Sequence, residues 1–302
     1  MIRASIDIGS NSCLLLVLEI ENNSFKTLES HSQITSLGKD LDINKSFLES
    51  SIIATMAALR DYRNILLEHS IDPSDVIVTA TEASRVATNF DNLFNQAKEE
   101  LGLIITRISG EGEAYYTALG VARGSSGRDS TITIMDIGGA STELIKVELD
   151  EFKILESISL PVGSVRATDW LAKNEFSTNI GNVLSAQSLK SFEVSKLICV
   201  AGTMTTLAAI AENMKDFDES GIQGKTYSIT ELEKMVSKLE SRSSSDILSA
   251  YPVTGKRSSS IYGGALVARE VANFLKVSEF EISTYGLRYG VAIEGRVDER
   301  FI

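Results

Sequence analysis

One stretch of the sequence occurs twice, once in each half of the chain. Residues 7–12 and residues 136–141 both read Asp-Ile-Gly-x-x-Ser, and Leu15 and Leu144 continue the same register. In each copy, apolar runs precede and follow the glycine, which predicts a strand, a tight turn and a second strand. A repeat at this spacing predicts a chain built from two related halves.

The turns of both copies carry groups that can hold an anion. The first turn offers Gly9, Ser10, Asn11 and Ser12, and the second offers Gly138, Gly139, Ala140, Ser141 and Thr142. Glycine lets the backbone approach a ligand closely, and successive N–H and hydroxyl groups can cradle phosphate. Two such loops could face each other across a cleft and hold a phosphate chain. The alternative is two hairpin turns in which Asp and Ser act only as turn residues, and the repetition favours binding.

The two copies differ at a position that carries chemistry. Glu143 of the second copy aligns with Leu14 of the first. Only the second hairpin therefore has an additional carboxylate directly after its loop. A carboxylate in this place could bind a metal ion or orient a water molecule.

The rest of the chain alternates predicted strands and helices, which is typical of an α/β protein. A polar, glycine-containing segment at 123–129 separates the halves. We therefore place one domain at 1–124 and a second at 125–302. A closing helix near 287–302 could pack back on the first domain, and another helix is expected to begin at Met204.

Composition excludes several classes of protein. The 302 residues carry a net charge of −12, which argues against a general binder of nucleic acid or anionic membranes. Cys13 and Cys199 lie in apolar stretches, so we expect buried, inert thiols. His31 and His69 are the only histidines, which disfavours a histidine-based zinc site and leaves few candidates for a Ser-His-Asp triad. The first apolar run ends at Glu19, too short to span a bilayer, so the expected location is the cytoplasm.

Both loops, with four further stretches, resemble the exopolyphosphatase / guanosine pentaphosphate phosphohydrolase (Ppx/GppA) family. The further stretches are ATEASRVA at 80–87, ISGEGEA at 108–114, LPVGSVR at 160–166 and AGTMTTLA at 201–208. That family belongs to the sugar kinase, Hsp70 and actin superfamily. The resemblance therefore implies a two-domain, actin-like α/β fold of ribonuclease H-like domains with an interdomain cleft.

The resemblance also implies roles for individual carboxylates. It makes Glu113 the catalytic base, and Asp136 and Glu143 become ligands of Mg²⁺ or another divalent cation, with Glu143 also counted as catalytic. Asp7 could reach the metal through water. From the residues alone, the preferred interpretation of Glu113 is a solvated helix-start carboxylate favoured by the helix dipole, and the alternative for Asp7 is a turn carboxylate.

Basic residues and one further turn complete the predicted site. Arg85 could clamp phosphate with two N–H groups, or it could form a surface ion pair. Arg166 and Arg257 are further candidates for substrate contacts. Gly202 and Thr203 open a helix after a strand, a suitable place for an anion, and the superfamily resemblance puts a nucleotide nearby. The alternative is an ordinary strand-to-helix turn.

The sequence departs from the family pattern at four positions. Ser36 stands where the family usually has Arg, which removes one phosphate contact. Gly112 replaces the first Glu of a Glu-Glu pair. Ala140 replaces a third glycine, and Ser259 stands where an Asp is frequent.

The implied substrates are inorganic polyphosphate and pppGpp, the latter converted to ppGpp in the stringent response. The net charge and Ser36 favour short chains or pppGpp over long chains. The implied partners are these small molecules, without nucleic acid or membrane, and a homodimer is compatible with the family. Two alternatives stay open: a nucleotide or polyphosphate sensor with low activity, and an ATP-dependent kinase or ATPase of the same superfamily.

Overall fold

A computed structural model describes residues 1–21, 24–124 and 129–302. Internal contacts divide the chain into two compact units. The first unit comprises Met1–Arg123 and Tyr285–Ile302, and the second comprises Gly124–Thr284. Most of the predicted linker at 123–129 lies outside the described residues.

The first unit is a mixed five-stranded sheet with helices on both faces. Its strands are β1 (Ile2–Ile8), β2 (Ser12–Glu21), β3 (Ser24–Ile34), β4 (Ile77–Ala80) and β5 (Ile105–Arg107), in the spatial order β3-β2-β1-β4-β5. Its helices are α1 (Leu41–Asn44), α2 (Glu49–Glu68), α3 (Glu82–Val86), α4 (Phe90–Leu101), α5 (Gly110–Arg123) and, late in the chain, α12 (Leu287–Glu294). The strands β1, β2 and β3 are antiparallel neighbours, whereas β4 and β5 run parallel to β1.

The apolar run in β2 explains why both faces of this sheet are covered. Successive side chains of a strand point to opposite faces. Leu15 and Val17 face the main core of the unit, whereas Leu16 and Leu18 pack with Tyr289 of α12. A continuous apolar strand is therefore satisfied by burial on two sides.

The second unit repeats this arrangement and adds one strand. Its strands are β6 (Thr131–Ile137), β7 (Thr142–Glu148), β8 (Lys153–Leu160), β9 (Lys196–Val200), β10 (Thr226–Ser228) and β11 (Glu279–Ile282), in the spatial order β10-β11-β9-β6-β7-β8. Its helices are α6 (Ser164–Ala172), α7 (Phe176–Ser185), α8 (Ala201–Ala211), α9 (Ile229–Leu239), α10 (Ser244–Ala250) and α11 (Ile261–Phe274). Three antiparallel strands again continue into parallel ones.

The strand registers show how closely the hairpins correspond. Asp7 pairs with Leu14 in the first hairpin, and Asp136 pairs with Glu143 in the second. The predicted repeat of strand, turn and strand is confirmed, and so is the predicted α/β class. Each hairpin also continues into a third antiparallel strand, β3 or β8.

One predicted boundary is wrong. The helix expected from Met204 begins at Ala201, because Ala201 takes a left-handed φ of 66° and turns the chain directly from β9 into α8. The prediction for the cysteines is confirmed: Cys13 and Cys199 are buried, and burial raises the pKa of both thiols. Across the described ranges, no helix combines the length and apolar character needed to cross a membrane.

Candidate active site

Both hairpin loops close on themselves in the same way. The amide of Gly9 donates to the carbonyl oxygen of Ser12 at 2.9 Å, and that of Gly138 donates to Ser141 at 3.0 Å. A Cβ atom on Gly9 or on Gly138 would lie 3.3 Å from the same acceptor oxygen. The repeated glycine therefore keeps each turn tight without crowding its own hydrogen bond.

The first loop is fastened from behind by the segment after β3. The carbonyl oxygen of Ser10 accepts a hydrogen bond from the Gly38 amide at 2.6 Å. The carbonyl oxygen of Asn11 accepts from the amides of Thr35 and Ser36, each at 3.0 Å. A Cβ on Gly38 would lie 2.9 Å from the Ser10 Cβ, so glycine permits this close approach.

The second loop is fastened by the start of α6. The bonds run from the Ser164 amide to the Gly138 oxygen at 2.9 Å, from the Val165 amide to the Gly139 oxygen at 2.9 Å, and from Arg166 Nη1 to the Ala140 oxygen at 2.6 Å. Gly163 makes room for this contact, because a Cβ there would lie 2.6 Å from the Gly138 oxygen and from the Gly139 carbonyl carbon. A side chain at position 163 would push the loop and the helix apart.

Fastened carbonyl groups leave the loop amides pointing the other way. In a trans peptide, the C=O and the following N–H point in opposite directions. Within the part of the chain that the structure describes, the amides of Ser10, Asn11, Gly139 and Ala140 form no hydrogen bond. The amides of Asn11, Gly139 and Ala140 each follow a fastened carbonyl, so they point to the open side of their loop, where N–H donors can bind an anion.

Not every predicted loop residue offers its side chain. Thr142 is fully buried, and its hydroxyl donates to the carbonyl oxygen of Val162 at 2.6 Å. Ser141 is also buried, and its carbonyl closes the turn. The second loop therefore offers mainly backbone donors.

Two carboxylates lie side by side below the second loop. Asp136 and Glu143 are directly opposite each other on β6 and β7, so their side chains share one face of the sheet. The Glu143 residue is only 6% exposed, and its Oε1 atom accepts a hydrogen bond from Ser159 Oγ at 2.8 Å. In the first hairpin, Asp7 faces Leu14, so that pair has one carboxylate.

This pair of carboxylates fits a magnesium ion that keeps part of its water. No group of three or more His, Cys, Asp or Glu side chains among the described residues could hold a metal on its own. Mg²⁺ is usually held by one or two carboxylates together with water and substrate phosphate. Asp136 and Glu143 supply that number of oxygen ligands in the second unit.

A partly buried ion pair lies in the first unit. Arg85 Nη2 donates to Glu113 Oε2 at 3.0 Å, while Arg85 Nη1 donates to the carbonyl oxygen of Ile108 at 2.8 Å. The Glu113 side chain is 15% exposed. Burial raises the pKa of Glu113, and the charge of Glu82 raises it further, whereas Arg85 lowers it; the net direction is upward.

The similarity to known proteins extends over nearly the whole chain. A sequence model of the Ppx/GppA phosphatase family matches residues 16–296. The chain belongs to this family. The predicted family membership is confirmed, and so is the prediction that the chain is a hydrolase.

Individual members of the family show the same extent of similarity. A bifunctional 3-dehydroquinate synthase/phosphatase of Fusobacterium nucleatum is 32% identical over 97% of this chain, which spans 46% of that protein's length. Exopolyphosphatase 2 of Mycobacterium tuberculosis is 26% identical, with 96% of this chain and 97% of that protein covered. A crystal structure of the Aquifex aeolicus Ppx/GppA family member aligns with a TM-score of 0.78 and 26% identity, covering 97% of both chains.

The departure from the family pattern at Gly112 has a steric cause in this chain. A Cβ on Gly112 would lie 2.6 Å from the Cβ and 3.1 Å from the Cγ of Phe301. The space that a glutamate side chain at position 112 would need is therefore filled by a phenylalanine from a distant part of the same unit.

The turn between β9 and α8 brings together another group of predicted residues. The Arg257 guanidinium lies against Gly202, since a Cβ there would be 2.6 Å from Arg257 Nε. The Thr203 hydroxyl donates to the carbonyl oxygen of Ile137 at 3.1 Å. Ser259, which replaces a frequent family Asp, donates its hydroxyl to the Lys256 carbonyl at 3.2 Å.

Sequence reasoning missed the two glycines that fasten the loops, Gly38 and Gly163. Each follows the third antiparallel strand of its unit after a short interval, since β3 ends at Ile34 and β8 ends at Leu160. That shared placement is a signal that the repeat could have provided. Sequence reasoning also missed Glu82, the carboxylate whose charge raises the pKa of Glu113.

Proposed function

We propose that this chain removes the terminal phosphate from phosphoanhydride chains by attack of water. The substrates are short inorganic polyphosphate, pppGpp, or both, with ppGpp as the product of the latter. The observation that carries the proposal is the pair of loops whose carbonyl groups are tied back and whose amides remain available for an anion.

Hydrolysis requires an oriented water and a group that takes its proton. The water oxygen forms a bond to the terminal phosphorus while the bridging P–O bond breaks, releasing inorganic phosphate and the shortened chain. Glu113 takes the proton from the water. Its raised pKa makes it a stronger proton acceptor than an exposed glutamate, and Arg85 holds the carboxylate in place.

Hydrolysis has a third requirement, which is that the negative charge on the phosphate oxygens is neutralised. Asp136 and Glu143 would hold Mg²⁺ or another divalent cation. The bound cation would neutralise charge on the phosphate oxygens and orient the chain. Ser159 fixes the Glu143 carboxylate through its hydrogen bond to Oε1.

Further residues extend the binding surface in this proposal. Arg166 contacts substrate from its place beside Ala140, to whose carbonyl it is already bonded. Gly202, Thr203 and Arg257 contact the remainder of the substrate. Gly202 and Thr203 lie at the N-terminus of α8, and the Arg257 guanidinium packs against this turn. A helix N-terminus beside a guanidinium is a suitable place for an anion.

Short substrates are favoured for two reasons. Position 36 carries a serine, which offers no long cationic side chain to a phosphate chain. The Ser36 amide is not available either, because it donates to the carbonyl oxygen of Asn11. The 29 Lys and Arg residues are outnumbered by 41 Asp and Glu residues, which disfavours an extended basic channel. The mycobacterial relative of similar length carries the name exopolyphosphatase, which supports polyphosphate as one substrate.

One experiment tests the proposal. Phosphate release is measured from long polyphosphate, short polyphosphate and pppGpp, with and without Mg²⁺, for the wild type and for Glu113→Gln. We expect turnover by the variant to fall about 10²–10⁴-fold, while binding of short polyphosphate by calorimetry is retained. Glu111→Gln is the matched control, because Glu111 lies two residues away on the same helix and is exposed.

The outcomes separate the alternatives. Full activity of Glu113→Gln would remove Glu113 from the role of base. Tight binding without magnesium-dependent release would instead support a sensor. Phosphate transfer from ATP to an acceptor would support a kinase.

A further inference from the structure

The first turn of α5, which carries Glu113, is contacted by a segment far away in the sequence. The amide of Ser109 donates to the carbonyl oxygen of Phe301 at 2.7 Å. Ser109 then receives the amide of Glu113 on its own carbonyl oxygen at 3.0 Å. One short chain of hydrogen bonds thus joins the Phe301 backbone to the residue that we propose as the base.

The Phe301 side chain touches the same turn. Phe301 is 8% exposed, and its Cβ and Cγ atoms occupy the space beside the Gly112 Cα. The Gly112 amide donates to Ser109 Oγ at 3.2 Å. The turn is therefore fixed by a hydrogen bond at its start and by a packed ring on its side.

The Phe301 ring also packs against two tyrosines of α5. The Phe301 ring lies 5.0 Å from the ring of Tyr115 and 5.7 Å from that of Tyr116, measured between centroids. The Tyr116 hydroxyl accepts from the Asp298 amide at 2.8 Å and donates to the Arg296 carbonyl at 3.4 Å. The segment 296–301 is thus attached to α5 at several points.

We propose that Phe301 is a positioning residue, which fixes the first turn of α5 so that Glu113 is aligned for the reaction. This inference rests on the proposed function. The first turn of a helix has amides without helical partners and is prone to fraying. A catalytic group displaced by about 1 Å can lose on the order of 10²-fold in rate, so a contact that prevents fraying acts on turnover.

The test begins with Phe301→Gly, which removes both atoms that meet Gly112. We expect kcat for short polyphosphate to fall about 10–100-fold while KM changes less than about threefold. Phe301→Leu keeps Cβ and Cγ and should recover most of the rate. Phe217→Gly is the matched control, because Phe217 is exposed and outside this unit.

A double-mutant cycle then separates positioning from general damage. In the Glu113→Gln background, Phe301→Gly should lower kcat no further, because the base through which it acts is absent. The Phe301→Gly variant should also accept Gly112→Ala with no further loss, whereas Gly112→Ala alone should be impaired. A further fall of kcat in the Glu113→Gln background would overturn the proposal.

Hydrogen exchange supplies a readout that does not depend on activity. We expect the amides of Ser109, Gly112 and Glu113 to exchange faster in Phe301→Gly than in the wild type, with the rest of α5 unchanged. Unchanged protection of these amides would overturn the positioning role. Absence of phosphate release by the wild type would instead overturn the proposed function, and exchange would still decide whether Phe301 fixes the turn.

Discussion

The two hairpins have the same backbone and different chemistry. Each closes with a glycine amide bonded to a serine carbonyl, at 2.9 Å in the first and 3.0 Å in the second. The position opposite the shared aspartate is Leu14 in one and Glu143 in the other. The two loops therefore share one closure and differ at a single facing side chain. The second hairpin has the two carboxylates that we propose as cation ligands, and the first has one.

The structures behind the loops differ as well. An irregular segment at 35–38 fastens the first loop, and the start of α6 fastens the second. The second loop has the tighter contact, since a Cβ on Gly163 would meet backbone atoms at 2.6 Å, whereas a Cβ on Gly38 would first meet a side-chain atom at 2.9 Å. Two different supporting segments thus fasten the loop carbonyl groups in the same way.

The largest expected effect comes from making the second hairpin resemble the first. Glu143→Leu should lower kcat/KM at least about 100-fold and raise the Mg²⁺ concentration needed for half-maximal rate, because one of two carboxylate ligands is lost. Magnesium titrations of phosphate release measure both. Leu14→Gln is the control in the first hairpin and should leave the magnesium dependence unchanged. Wild-type magnesium dependence in Glu143→Leu would show that the hairpins are equivalent after all.

The next largest effect is expected from substitutions in the segments that fasten the two loops. Gly163→Ala should destabilise the chain by about 1–3 kcal/mol and weaken substrate binding, because backbone atoms must separate. Gly38→Ala should cost less, since the Ser10 side chain is among the atoms that can move. Gly181→Ala is the control, because a Cβ there meets no atom within 4 Å. Chemical denaturation and KM rank the three variants, and equal losses at positions 38 and 163 would contradict the contrast.

A smaller effect concerns the pH dependence of kcat/KM, which tests whether the titrating carboxylate lies in the first unit or in the second. Glu113 must be deprotonated to act as a base, so its raised pKa places the acidic limb of kcat/KM above the usual range of a glutamate. Glu82→Gln removes a charge that raises this pKa, so the limb should move to lower pH. Pre-steady-state or kcat/KM profiles from pH 4 to 8 measure the shift. A limb that moves with Glu143 variants and not with Glu82→Gln would assign the titration to the second unit.

The smallest effect belongs to the edge strand β3 of the first unit. Hydrogen bonds from His31 and His69 lower the pKa of Glu29. Its contribution to stability is therefore present above the unfolded pKa and is lost as pH falls through the lower, folded value. Because Glu29 is a third exposed, Glu29→Gln should cost at most about 1 kcal/mol at pH 6. Thermal unfolding at pH 6 and pH 3 should show this difference disappearing at the lower pH.

The parts of the molecule that follow from short-range pattern could be predicted. The hairpins at 7–12 and 136–141 could be predicted because apolar runs on both sides of a glycine-containing turn are a local signal. The opposition of Asp136 and Glu143 follows from that register once the turn is fixed. The family stretch around Glu113 likewise identified the candidate base, and its role as base stays a prediction.

Contacts between distant residues could not be predicted in this way. Nothing near Gly112 indicates that Phe301 fills the space beside it. The bond from Arg85 to Glu113 joins two helices, so sequence patterns left Arg85 open between a phosphate clamp and an ion pair. The start of α8 at Ala201 depends on a left-handed φ that alanine rarely adopts, so periodicity placed it too late.

The fastening of the loop carbonyls has a consequence for how such a site can be copied or transplanted. An excised hairpin would keep its turn, but its peptide groups would be free to rotate and its amides would lose their common direction. The smallest portable unit is therefore the hairpin together with the glycine segment behind it, 35–38 or 163–166. A duplication that included only the turn would therefore not carry over the direction of the amides, whereas one that included the supporting segment would.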